Sequence, residues 1–125
     1  ISMSPNFQDG NIVEIAPLTD ISRGDVVIYK YKTIKIIGRV VGLPAESFAV
    51  SNCKVLINSK PITEAYLATG SCTKAGKFIK ENLITRALGD GYFILGDNRE
   101  NSIDSRDIGP ISRINIVEKV TRKLN

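Results

Sequence analysis

Apolar residues along this chain fall in short β-branched or alternating runs, each closed within a few positions by a turn signal. Residues 11–16 (NIVEIA) and 25–31 (DVVIYKY) follow Asp9-Gly10 and Arg23-Gly24 and read as strands. Residues 35–42 (KIIGRVVG) come next, with a turn at 42–45 (GLPA). Shorter strands are expected at 47–50, 54–58 and 60–63, separated by turns that contain asparagine. Strands at this spacing predict an all-β, barrel-like or sheet body. Residues 63–85 break the pattern. Ala, Gly, Ser and Thr surround Cys72, and Phe78, Ile79, Leu83 and Ile84 then fit a strand or a helix period equally. One or two helical turns are expected there. The strand pattern resumes at Arg86, and the polar run 97–107 reads as a structured loop between strands.

The chain has 125 residues, 42% of them hydrophobic, which is enough for one domain (1–125) with its own core. No run approaches the roughly 18 apolar residues that cross a bilayer. The first residue is Ile1, so any membrane anchor is expected upstream. The net charge of +4 is spread over bases interleaved with acids. With four Tyr, four Phe and no Trp, no basic stripe with stacking aromatics emerges, and nucleic acid is not an expected partner.

Histidine is absent altogether. That removes Ser-His-Asp and Cys-His catalysis and every histidine-based zinc site. Cys53 and Cys72 are the only thiols, so a four-sulfur metal site is excluded, and no cofactor is expected. The two cysteines are either a disulfide or two buried thiols. A bridge closing a loop of this size contributes about 3 kcal/mol.

Four ordered motifs carry a family resemblance. They are residues 2–5 (SMSP), 23–27 (RGDVV), 38–44 (GRVVGLP) and 96–106 (GDNRENSIDSR). In order and spacing they resemble the type I signal peptidases, over almost the whole chain except the variable stretch 63–85. The family implies a β-rich fold and a Ser-Lys dyad that cuts exported preproteins outside the cytoplasmic membrane. Its lysine, held in an apolar pocket, stays neutral enough to take the serine's proton. Carried over, Ser2 is the nucleophile position and Ser102 the hydroxyl that orients the lysine. Arg39 with Asp97, and Asp104 with Arg106, correspond to ion pairs bracing the loop behind the site. An exported location makes a Cys53–Cys72 disulfide the expected state.

The departure is at position 38, where the family's lysine is replaced by Gly38. Lys35 is three positions away and points to the opposite face of a strand. Lys32 shares parity but lies about 20 Å distant at ~3.3 Å per residue. Arg39 cannot act as a base, because its pKa exceeds about 12. Losing a general base typically costs about 10²–10⁴ in rate. Asn6 also departs from the family, which usually has threonine there.

The resemblance therefore implies a signal-peptidase-like protein that keeps the fold and has lost the chemistry. Non-catalytic relatives of this kind are associated with Gram-positive pilus gene clusters, where they assist sortase-dependent polymerisation of pilins. On that reading the partners are an exported polypeptide, pilin subunits and sortase, at the outer face of the membrane. The alternative is a working serine-type signal peptidase whose base comes from elsewhere, or an inactivated mutant of one. LexA-like self-cleaving regulators form a third class, disfavoured by the long motif 96–106.

Overall fold

β-Branched runs broken by tight turns yield short strands paired with their neighbours. The computed structural model describes residues 2–87 and 89–125. Its strands are β1 (Val13–Pro17), β2 (Val26–Tyr31), β3 (Ile34–Gly42), β4 (Ser47–Ser51), β5 (Lys54–Ile57), β6 (Lys60–Pro61), β7 (Thr85–Arg86), β8 (Phe93–Leu95) and β9 (Ile116–Lys123). A one-turn helix, α1 (Ser105–Ile108), lies in the polar run after β8. The larger sheet has the order β1-β9-β2-β3-β8 and the smaller β6-β5-β4-β7, every pair antiparallel. The molecule is mainly β, as the strand spacing predicts. Its form is two open sheets; no closed ring of strands occurs among the described residues.

Turn chemistry sets the smaller sheet. Asn52 and Cys53 both have positive φ, 52° and 68°, between the paired Ser51 and Lys54. Asn58 and Ser59 repeat this, at 51° and 68°, between Ile57 and Lys60. Two-residue turns of this kind match the right-handed twist of flanking strands, and asparagine tolerates the left-handed region.

Alternation along β2 and β3 divides the interior, because successive side chains point to opposite faces. Val27, Tyr29, Val40, Ile94, Ile111 and Ile116 form a core on one face of the larger sheet. Met3, Val26 and Val120 pack on the other face, with Ile37 against them. A third cluster fills the space towards the smaller sheet, with Phe48 and Phe93 stacked at 4.5 Å between ring centres.

The helical turns expected within 63–85 are absent; that stretch consists of turns, bends and short β contacts. The physical reason is burial. Ile79 alone enters the core, while Phe78, Leu83 and Ile84 stay exposed, so no apolar stripe exists for a helix to bury. The backbone donors also go elsewhere. Phe78 and Ile79 N–H both reach the Arg106 carbonyl at 2.8 Å, and Asn82 N–H reaches Val50 at 2.9 Å. Among the described residues no helix is long and apolar enough to cross a membrane.

Candidate functional site

Position 38 and the polar loop meet through the pairing of β3 with β8. Arg39 lies opposite Leu95 and Val40 opposite Ile94. One further step of that register sets Gly38 beside Gly96, with both on the same face. Gly96 is glycine because its surroundings leave no room for a side chain. A Cβ there would come within 2.6 Å of the Ser2 carbonyl oxygen and 2.7 Å of Ser102 Cβ. The Ser2 carbonyl and Ser102 thus pack against Gly96, although they are distant in sequence, and Gly38 lies one residue beyond the Arg39–Leu95 pair.

The Ser2 segment is pinned to that loop by its backbone. Asn98 N–H donates to the Ser2 carbonyl at 2.8 Å, and Asp97 N–H meets Met3 Sδ at 3.4 Å. Beside Ser2 opens a recess of about 180 Å³, lined by Met3, Phe7, Asp9, Val13 and Ile37 among others. Ser102 hydroxyl donates to Asp104 Oδ2 at 2.9 Å.

What fills the place of an amine at position 38 is the core itself. A Cβ on Gly38 would lie 2.7 Å from Ile94 Cγ2 and 3.4 Å from Tyr29 Cε1. Ile94 is fully buried, and its methyl group belongs to a branched, stiff side chain. Tyr29 does not substitute as a base. Burial, and then the negative field of Asp104, push its phenol well above the ordinary tyrosine value, so it keeps its proton. Lys35 pairs with Lys30 near the exposed β2–β3 hairpin end, and Lys32 sits in its turn. Lys119 Nζ is engaged with Asp25 at 3.1 Å.

Two carboxylates hold the loop. Asp97 takes Arg39 bidentately, at 2.9 and 2.7 Å, while Arg39 also donates to the Gly24 carbonyl at 2.9 Å. Asp104 takes Arg106 at 2.9 Å on each oxygen, caps α1 through Arg106 N–H at 3.1 Å and receives Gly96 N–H at 3.0 Å. Both pairs are largely removed from solvent. Asp104 thereby satisfies the outer backbone edge of β8, together with Ser105 hydroxyl on Ile94 N–H at 2.9 Å.

Sequence reasoning missed a further layer of the site. Arg99 lies in the motif 96–106, and its partner is Glu64, in the variable stretch, at 2.7 Å. The Arg99 side chain is wholly buried. That burial works against the charge, but the hydrogen bond and field of Glu64 outweigh it, and the guanidinium holds its proton more tightly than usual. Tyr66 stacks against Arg39, ring centre to guanidinium carbon 4.2 Å, and its hydroxyl donates to Glu64 at 2.6 Å. Asn6 donates at 2.8 Å to both the Tyr66 carbonyl and Asp97, which gives that departure from the family a local purpose. The only available signal was Asn6 itself, since 63–85 lay outside the motifs.

Cys53 and Cys72 are joined, S–S 2.00 Å. Among the described residues no cluster of His, Cys, Asp or Glu is arranged to hold a metal ion.

Comparisons with known proteins agree on one family. The model for signal peptidase, peptidase S26, matches residues 1–124. Signal peptidase I V of Bacillus subtilis is 35% identical over 129 residues, covering 94% of this chain and 77% of that protein. Signal peptidase IB of Staphylococcus aureus is 31% identical, covering 96% and 71%. Signal peptidase I S of Bacillus subtilis, 33% identical over 70% of this chain, is matched over only 50% of its own length. A crystal structure of a signal peptidase I from Enterococcus faecalis aligns with a TM-score of 0.61 at 21% identity, covering 86% of this chain and 99% of that one. At that identity the likeness concerns the fold.

Proposed function

The chain belongs to the signal peptidase family, peptidase S26, and we propose that within it this protein binds an extended exported polypeptide at the Ser2 face without hydrolysing it. The observation that carries the reading is Gly38 with Ile94 Cγ2 2.7 Å from where a side chain would start. The general-base position is vacant in sequence and occupied in space. Ser2 stands at the family's nucleophile position, no lysine stands at position 38 to take its proton, and an unactivated serine is a poor nucleophile at neutral pH. Binding needs none of that chemistry. A recess of about 180 Å³ beside Ser2, next to a braced loop, supplies side-chain space for an extended peptide.

In the cell this role is that of a chaperone or scaffold in sortase-dependent pilus assembly at the outer face of a Gram-positive membrane. The protein is held there by a segment upstream of this chain, with pilin subunits and sortase as partners. Support for this finer assignment is the family resemblance combined with the missing lysine. The competing reading is a working serine-type signal peptidase, favoured by the retained Ser2 and Ser102.

One experiment separates the two. A fluorescent preprotein segment with an Ala-x-Ala site is mixed with this chain and with Ser2→Ala, and binding and cleavage are both followed. Equal binding by the two proteins with no cleavage is expected. Cleavage by the unmodified chain that disappears in Ser2→Ala overturns the proposal and establishes a peptidase.

A further inference from the structure

The arm between the β5–β6 turn and Thr73 has little apolar burial to hold it, with Ile62 packed at the margin of the core. Between residues 58 and 76 only Thr73 is buried, at 1% exposure. A segment with so few buried contacts opens easily unless something else ties it down. Polar contacts tie it at Glu64, Tyr66 and Lys74, and the covalent tie next to Thr73 is the disulfide. Cys53 stands exposed at positive φ in its turn, bonded to the half-buried Cys72. The next residue is locked beside it, with Thr73 N–H donating to the Cys53 carbonyl at 3.0 Å.

From Thr73 a continuous set of contacts runs to Ser2. Thr73 Oγ1 accepts from Arg99 Nη1 at 2.9 Å. Glu64, at the other end of the arm, accepts from Nη1 at 3.1 Å and Nη2 at 2.7 Å. The same guanidinium donates through Nε to the Gly96 carbonyl at 2.9 Å. Gly96 is the residue against which the Ser2 carbonyl and Ser102 pack. Arg99 is therefore a buried hub with one hand on the loop and the others on the arm.

We propose that Thr73 is a positioning residue, acting through Arg99 on the 96–102 loop, and that the Cys53–Cys72 disulfide keeps it in place. The Ser2 face then answers to redox state. A dithiol attacks the exposed disulfide, the S–S bond breaks to two cysteine thiols, and the dithiol leaves as its own disulfide with the two electrons balanced. Reduction releases the arm, Arg99 loses a fixed acceptor, and the loop under Ser2 loosens. The consequence for peptide affinity rests on the function proposed above; the effect on the loop does not.

Amide hydrogen exchange tests the loop directly. Asn98 N–H, which donates to the Ser2 carbonyl, is followed in the oxidised protein, in the protein reduced with dithiothreitol, and in Cys53→Ser/Cys72→Ser. Its exchange is expected to rise about tenfold or more on reduction, while Val27 and Val120 in β2 and β9 keep their protection. Thr73→Val with the disulfide intact is expected to reproduce the rise, and Thr73→Ser to restore the wild-type rate. An unchanged Asn98 rate in reduced protein overturns the proposal, and so does an equal rise at Val27 and Val120, which marks general destabilisation. Fluorescent Ala-x-Ala peptide, titrated into both forms, reads the other hypothesis: no binding in either form sinks the peptide-binding function and leaves the exchange result to decide this one.

Discussion

Gly38 reads in the sequence as a lost base, and in the structure as a site the core has closed over. Its Cβ would meet the Ile94 methyl at 2.7 Å, closer than real side chains approach. Adding atoms to a packed interior typically costs about 1–3 kcal/mol. Gly38→Ala and Gly38→Lys are both expected to destabilise by that amount in urea unfolding. Ile94→Ala removes the obstructing methyl, so Gly38→Lys/Ile94→Ala should be clearly more stable than the sum of the single changes implies. Strict additivity would show that Ile94 does not block position 38. Ser2, Gly38 and Ser102 were legible because the motifs name them. Ile94 and Tyr29 were not, because they become neighbours only through the β3–β8 register. Glu64 was hidden for a different reason: an acid in a variable stretch gives no sign that a buried arginine far along the chain needs it.

Among the elements, the loop from Gly96 to α1 shows how a polar run becomes rigid. Its strand-like neighbours were readable from alternation, and its ordering followed from the density of Asp, Arg and Ser. The tasks of one carboxylate were not readable: Asp104 receives Gly96 N–H, Ser102 hydroxyl, Arg106 N–H and the Arg106 guanidinium. Asp104→Asn leaves a buried guanidinium without its counter-charge, and the expected loss is about 3–5 kcal/mol. Arg23 and Glu46 form the control, a pair at 2.6 Å whose arginine is about a third exposed. Glu46→Gln is expected to cost below about 1 kcal/mol by the same denaturation. Equal losses at the two positions would mean that Asp104 carries no special share of the loop. The stretch 63–85 shows the opposite case, where four apolar residues matched two periods and burial of Ile79 alone decided between them.

For the whole molecule, the division of the interior shows what holds the Ser2 segment in place. Three hydrophobic clusters hold the sheets, and Met3, the neighbour of Ser2, is buried in one of them, so packing anchors the Ser2 segment. Two tyrosines join this framework to the site: Tyr29 beneath Gly38 and Tyr66 against Arg39. Burial raises both phenols well above the ordinary value, with Asp104 adding to the first and Glu64 to the second. A raised folded-state pKa favours the protonated form. The stabilisation is fully present below the unfolded value of about 10 and is lost as pH rises through the folded one. Glu46 works at the other end of the scale. The hydrogen bond from Arg23 lowers its pKa, so its contribution is present above about pH 4.3 and lost as acid protonates it. Alkaline titration followed by tyrosinate absorbance and near-ultraviolet dichroism should therefore show Tyr29 and Tyr66 ionising together with loss of tertiary structure. Tyr29→Phe and Tyr66→Phe should each shrink that cooperative step. Smooth ionisation of either residue near pH 10, with the dichroism intact, would place its hydroxyl in water and remove it from the framework that closes position 38 and clasps Arg39.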